Sequence, residues 1–131
     1  MYIKQLSVFV ENKLGRASAI LDILAKNNIN IRALSIAEAS EFGILRMIVD
    51  DSEKAKELLR ESGIVVKTNN VLAAPIDDTP GGLLKLLDSL KDNGVNVEYL
   101  YAFVAREGDH AQVVLRVDDT DKAEKVLAAL K

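Results

Sequence analysis

The sequence predicts an α+β fold made of two copies of one unit, strand-helix-strand-strand-helix-strand, with the second copy stopping short of its last strand. Three observations predict it. Of the 131 residues, 49% are apolar and 28% charged, the balance of a globular chain with enough apolar mass for a core. The chain also repeats itself: displaced by 66 places, Gly15 falls on Gly81, Ala17 on Leu83, Ile20 on Leu86, Leu21 on Leu87, Leu24 on Leu90, Ile29 on Val95, Asn30 on Asn96 and Ile31 on Val97. Within each copy, the apolar period switches in the same order between that of a strand and that of a helix.

In the first copy, Leu6, Val8 and Val10 alternate with Gln5, Ser7 and Phe9, a strand with one face buried more deeply than the other. Ala17, Ile20, Leu21 and Leu24 then recur at i, i+3, i+4 and i+7, on one face of a helix that stops at Asn27-Asn28. A β-branched stretch from Ile29 to Ala39 reads as a strand, and Glu41-Phe42-Gly43 turns it into a partner strand, Ile44 to Val49. Asp51 or Ser52 can cap the second helix by accepting a hydrogen bond from a free N–H of its first turn, and Gly63 ends it in a left-handed conformation. Ile64-Val65-Val66 follows as the fourth strand. This order is the split βαβ of ferredoxin-like domains, in which two helices cover one face of an antiparallel sheet and leave the other face to find its own cover.

The second copy runs from the strand Val71–Ile76 through the helix Gly82–Asp92, the strands Val95–Ala105 and Gln112–Val117, and a helix from about Thr120 to Leu130. From Val49-Asp50-Asp51 onward the match needs a displacement of 68, onto Val117-Asp118-Asp119, so two residues are inserted around Glu107-Gly108-Asp109, where a hairpin turn tolerates them. Domains are expected at 1–69 and 70–131, rigidly coupled because Lys67-Thr68-Asn69-Asn70 contains neither Gly nor Pro and is too short for a tether. A unit of this size buries only roughly 60% of its unfolded surface, so the open sheet face calls for the other copy or another chain as cover. On the strand Tyr99 to Val104, Tyr99, Tyr101 and Phe103 point one way and Leu100, Ala102 and Val104 the other, so both faces are expected to be at least partly buried. No segment matches Ile64-Val65-Val66 at the end of the second copy. Either the chain is shortened there or that sheet edge is filled by something else, and at least a homodimer is expected.

Composition excludes several functions. The chain has no Cys and one His, so disulfides, thiolate metal sites and a thiol nucleophile are absent, and no cofactor is implied. A net charge of -3 and an isoelectric point near 5.2 give no attraction for phosphate backbones, and no basic patch compensates, so no nucleic-acid partner is expected. No apolar run approaches the roughly 18 to 20 residues of a membrane helix, so no membrane partner is expected either. The start, Met1-Tyr2-Ile3-Lys4-Gln5, alternates like a strand and lacks the regions of a signal peptide, so the mature chain is expected to begin there and to reside in the cytoplasm.

The most specific local signal is the turn before the first helix of each copy, Glu11-Asn12-Lys13-Leu14-Gly15-Arg16 and Asp77-Asp78-Thr79-Pro80-Gly81-Gly82. Each places a short polar side chain three residues before a Gly, between a strand and a helix. A helix N-terminus presents unpaired N–H groups and a partial positive charge that suit carboxylates and phosphates, and Gly lets a ligand approach the backbone. Simple chain reversal and capping is the bland alternative. Repetition of the turn in register favours a ligand.

Asn12-x-x-Gly15 followed by Asn28-Ile29-Asn30-Ile31, and Asp78-Thr79-Pro80-Gly81 followed by Gly94-Val95-Asn96-Val97, resemble the strand-turn-helix and second-strand motifs of the ACT domain family. The whole chain resembles a stand-alone tandem ACT protein. The resemblance implies βαββαβ regulatory modules that bind amino acids or other small metabolites, often at interfaces between two modules. It implies that Asn12 hydrogen-bonds the ligand from the first turn, that Asn30 and Asn96 contact it across the interface, and that Gly15 and Gly81 lie beside its backbone. Lys13, Leu14, Arg16, Thr79, Pro80 and Gly82 complete the two turns as ligand-binding candidates. Two departures stand out: Leu14 sits where the family commonly has Pro, and Asp78 replaces Asn in the second turn, which suits an ammonium group and repels a carboxylate. Tyr99 and Tyr101 occupy the positions of Ala33 and Ser35, so the copies are chemically unequal.

Other residues carry less. His110 is a single imidazole in a hairpin, Tyr99 and Tyr101 read as packing residues before ligand-stacking ones, and Asp50-Asp51 and Asp118-Asp119 precede helices, where capping explains them. Lys54, Lys56, Lys122 and Lys125 read as solvated helix faces. No catalytic or metal-binding residue is assigned. The expected function is a non-catalytic sensor of an amino acid or related metabolite, held between ACT units, that regulates a partner such as an enzyme by shifting a conformational or assembly equilibrium. The alternative is an adaptor that acts by protein association without a metabolite.

Overall fold

The computed structural model describes residues 2–38, 41–106, 108 and 110–130. Its elements are β1 (Tyr2–Glu11), α1 (Arg16–Lys26), β2 (Ile31–Glu38), β3 (Phe42–Val49), α2 (Ser52–Glu61), β4 (Val66–Asp77), α3 (Gly82–Asp92), β5 (Val97–Ala102), β6 (His110–Val117) and α4 (Thr120–Ala129). Two compact units divide the chain: a first, Lys4–Asn70, and a second, Val71–Lys131 together with the first residues of β1.

In the first unit the strand order is β2-β3-β1-β4. β3 pairs antiparallel with β1, Leu6 opposite Met47 through Glu11 opposite Phe42, and with β2, Leu34 opposite Met47 and Glu38 opposite Gly43. Alternation puts Leu6, Val8, Val10, Leu45, Met47 and Val49 on the face that receives Ile20 and Leu24 of α1 and Ala55 and Leu59 of α2, so both helices lie on one side of the sheet. Val66, which follows α2 in the chain, belongs to this core, and Ile64 packs against it.

The second unit repeats the plan with β4-β6-β5, antiparallel, and a core of Leu72, Ala74, Val113, Leu115 and Val117 against Leu86 and Leu90 of α3 and Ala123 of α4. No strand follows α4 among the described residues. The repeat reaches the irregularities: register shifts occur between Ile31 and Ala33 and between Val97 and Tyr99.

The ends of α1 and α3 are built alike. Asn27 and Asn93 side chains donate to the carbonyls of Ile23 and Ser89 at 2.8 and 2.7 Å, and the next residues, Asn28 and Gly94, take positive φ of 59° and 73°. That left-handed residue ends each helix and lets the Ile29 and Val95 N–H groups donate back to Leu24 and Leu90 carbonyls.

Several boundaries differ from the sequence reading. Ile64–Val66 and Val71–Ile76 are not two strands with a junction between them: Val66–Asp77 is one twelve-residue strand, and Lys67–Asn70 lies within it. With neither Gly nor Pro to break it, that segment simply continues the ladder. β2 and β5 each begin two residues later than their apolar runs, because the helix-ending turn consumes Ile29-Asn30 and Val95-Asn96. β3 and β6 start two residues earlier, at Phe42 and His110. Ala39, Glu107 and Asp109 lie outside the described residues.

Candidate functional site

Helices α2 and α4 begin on their own caps: the Asp51 and Asp119 carboxylates accept from the N–H groups of Lys54 and Lys122, each at 3.1 Å. Helices α1 and α3 do not. Their N-cap positions are Gly15 and Gly81, both left-handed with φ of 80° and 84°, and neither helix start has a side-chain cap. A Cβ at either glycine would meet no atom within 4 Å, so the space beside these helix starts is open. Both turns therefore present amide hydrogens to an open approach, with the local dipole favouring a negative group.

The first turn is held by backbone bonds. Asn12 N–H donates to the Glu41 carbonyl at 2.9 Å, and Arg16 N–H to the Lys13 carbonyl at 3.2 Å. Among the described residues no partner is found for the Asn12 side chain, and Leu14 is fully exposed. Glu11 pairs with Lys13 at 3.2 Å, and that hydrogen bond, with the charges of Lys13 and Arg16, holds its carboxyl below the usual glutamate range.

Chemically, the second turn is a different place. Asp78 Oδ2 lies 3.3 Å from Arg106 Nε, on the hairpin between β5 and β6, so its charge is already countered. Sequence reasoning singled out Asp78 and missed Arg106, whose only signal was its place next to the inserted residues. Asp77 in turn faces His110, Oδ1 to Nδ1 at 3.5 Å. Thr79 shapes the turn by accepting from Gly82 N–H at 3.0 Å, while Thr79 and Pro80 are exposed.

Asn30 and Asn96 stand one residue before β2 and β5, and their backbones are fixed by a reciprocal pair of bonds. Asn30 N–H donates to Asp50 Oδ1 at 3.1 Å while Asp50 N–H donates to the Asn30 carbonyl at 3.2 Å; Asn96 and Asp118 repeat this at 2.9 and 3.1 Å. The paired aspartates thus divide their work. Asp51 and Asp119 cap helices, whereas Asp50 and Asp118 do not cap but pin the strand starts that carry the candidate asparagines. Nor is Lys54 simply solvated: its Nζ donates to the Asn27 carbonyl at 3.1 Å. Tyr99 and Tyr101 stack on each other, ring centroids 6.5 Å apart, and Tyr101 is buried.

Within one unit, the structure does not bring Asn12 and Asn30 together. Glu11 is opposite Phe42 and Ile31 is opposite Val49, the two ends of β3, so the asparagines are separated by roughly 24 Å of strand. The same topology separates Asp78 from Asn96. No group of three His, Asp or Glu is placed to hold a metal among the described residues.

A family model described as an ACT domain pair matches residues 1–131. Among solved structures, protein BT0572 from Bacteroides thetaiotaomicron is similar at 43% identity and a TM-score of 0.90, over 98% of this chain and 88% of that one. Two further structures share the fold: the regulatory subunit of aspartate kinase from Thermus thermophilus, ligand-free form, at 16% identity, TM-score 0.69 and coverage of 98% and 92%, and its Thermus flavus counterpart at 16%, 0.64 and the same coverage. No curated protein matches the chain.

Proposed function

The chain belongs to the ACT domain pair family, and from that premise we propose that it is a non-catalytic regulatory protein that binds an amino acid or a related small metabolite. The units are assigned as 1–69 and 70–131. The ligand is held where ACT units meet, with Asn12 and the turn at Lys13, Leu14, Gly15 and Arg16 as its first anchor and an Asn30 or Asn96 from another unit as its second. Supporting this reading above all is the contrast between helix starts. Two are capped by their own aspartates, and the two at the family's turns are left open on left-handed glycines.

The separation of Asn12 from Asn30 within a unit supports an interface, because a single amino acid is far shorter than roughly 24 Å of strand. The copies are chemically unequal. With Asp78 countered by Arg106, the first turn is the stronger anchor. Binding acts on a partner, such as a regulated enzyme, by favouring one of two conformational or assembly states, which requires different affinity for the two. A homodimer in the cytoplasm completes the proposal. Among the described residues no helix is long and apolar enough to cross a membrane.

A thermal-shift screen against the twenty amino acids, with calorimetry on any hit, tests it. A ligand at about a hundred times its dissociation constant adds about 2.7 kcal/mol and moves the melting point by several degrees. Asn12→Ala or Asn30→Ala should abolish the shift. If all twenty leave the melting point unchanged, the sensor reading gives way to the adaptor reading.

A further inference from the structure

A cleft of about 380 Å³ lies between α3 and α4 of the second unit, with Ser89 and Asn93 on the α3 side and Lys122 and Lys125 on the α4 side. No carboxylate lines it among the described residues. The internal repeat shows how the same place is built in the first unit. Ser89 matches Ile23, whose side chain packs against the first core, so an apolar filling there is replaced by a small hydroxyl here. Lys56-Glu57 matches Glu124-Lys125, the two charges in reversed order, and Glu61 matches Ala129. The reversal puts a cation on the cleft: Lys125 lines it, as Ala129 does, while Glu124 lines a separate cavity beside β4. The first unit thus has carboxylates at both of these positions, and the second has an ammonium group at one and a methyl at the other.

The polar groups of the cleft are not spent on one another. Neither Lys122 nor Lys125 has an ion pair among the described residues, and the Asp88 carboxylate on α3 is countered by Lys91 at 3.3 Å. Lys122 Nζ stands at the end of α3, 3.5 Å from where a Cβ on Gly94 would lie. Asn93 is held in place by donating from Nδ2 to the Ser89 carbonyl at 2.7 Å. Two ammonium groups beside a hydroxyl suit a tetrahedral dianion. It matches both charges where a carboxylate matches one, and its oxygens can accept from separate donors.

We propose that this cleft binds a phosphate group, as the free ion or as the end of a phosphomonoester, between Lys122, Lys125 and Ser89. The site is separate from the helix-start turns and does not depend on the amino-acid reading. NMR titration of the full chain with inorganic phosphate at constant ionic strength tests it, with glycerol 1-phosphate and acetate as the other probes. Saturable shifts centred on Ser89, Asn93 and Val126 are expected, with phosphate bound more tightly than acetate. Lys125→Ala should weaken phosphate about fivefold, the scale of one exposed ion pair. Ser89→Ile and Lys125→Glu install residues that the first unit carries at the matching positions, so each should fold and lose the saturable binding. Asn12→Ala should leave it intact. Glycerol 1-phosphate bound at least as tightly as phosphate assigns the site to a phosphomonoester, and weaker binding assigns it to the free ion. Shifts that do not saturate, acetate bound as tightly as phosphate, or phosphate binding unchanged in Lys125→Glu would overturn the proposal.

Discussion

Gly82 and Gly15 look interchangeable as glycines of a turn, yet the space around them differs. A Cβ on Gly82 would collide with the Asp77 carbonyl oxygen, part of a backbone that cannot swing away. Gly82→Ala must push apart the end of β4 and the first turn of α3, and should cost about 2 kcal/mol or more. Gly15→Ala meets open space and carries only the penalty of a left-handed φ of 80°, about 1 kcal/mol. Urea unfolding of the two variants would measure the difference; equal losses would contradict it. Glu11 is the other residue with a definite expectation. Its lowered pKa comes first from the Lys13 hydrogen bond, so its NMR titration midpoint should lie below the ordinary glutamate value and rise in Lys13→Met. Because the folded value is the lower one, the associated stabilisation is present above the unfolded pKa and is lost as the pH falls through the folded one. Glu11 is only partly buried, so solvent screens the interaction and its effect shows in the titration curve more than in the melting point.

At the scale of elements, the sequence was most legible where one local force decided the outcome. The i, i+3, i+4 pattern of α1, the cap and closing Gly63 of α2, and the internal repeat for α3 and α4 place the four helices to within a residue or two, since a helix closes its hydrogen bonds within itself. Aspartate caps were legible too, and Asp51→Ala and Asp119→Ala should each cost about 1 kcal/mol, adding in the double variant because the two caps lie in different units. Thermal or urea unfolding of the three variants checks both size and additivity. Strand limits were harder to read. Ile29 and Val95 carry the apolar character of a strand, yet they are consumed by the helix-ending turn, and their side chains are buried in the cores from there. β4 was read as two strands because Lys67–Asn70 is polar, but a strand is defined by its neighbour's hydrogen bonds and not by the hydropathy of one stretch.

For the whole molecule, membership of the ACT domain pair family and the proposed binding between units lead to an assembly prediction. Light scattering at micromolar concentration should give at least a dimer, and a monodisperse monomer would remove the second anchor from the proposed site. The 66-place repeat, its two-residue insertion, the paired turns and the α+β class could all be read from the sequence alone, because each follows from local period and local chemistry. Asn12, Gly15, Asp78 and Gly81 could be named from it as well. Only the tertiary structure decided that Arg106 reaches Asp78, that Asp50 and Asp118 hold the asparagine loops while their neighbours cap helices, that Asn12 and Asn30 stand at opposite ends of one sheet, and that Ser89, Lys122 and Lys125 line one cleft. Those relations join residues far apart in the chain, and sequence spacing carries no distance once the chain has turned back on itself.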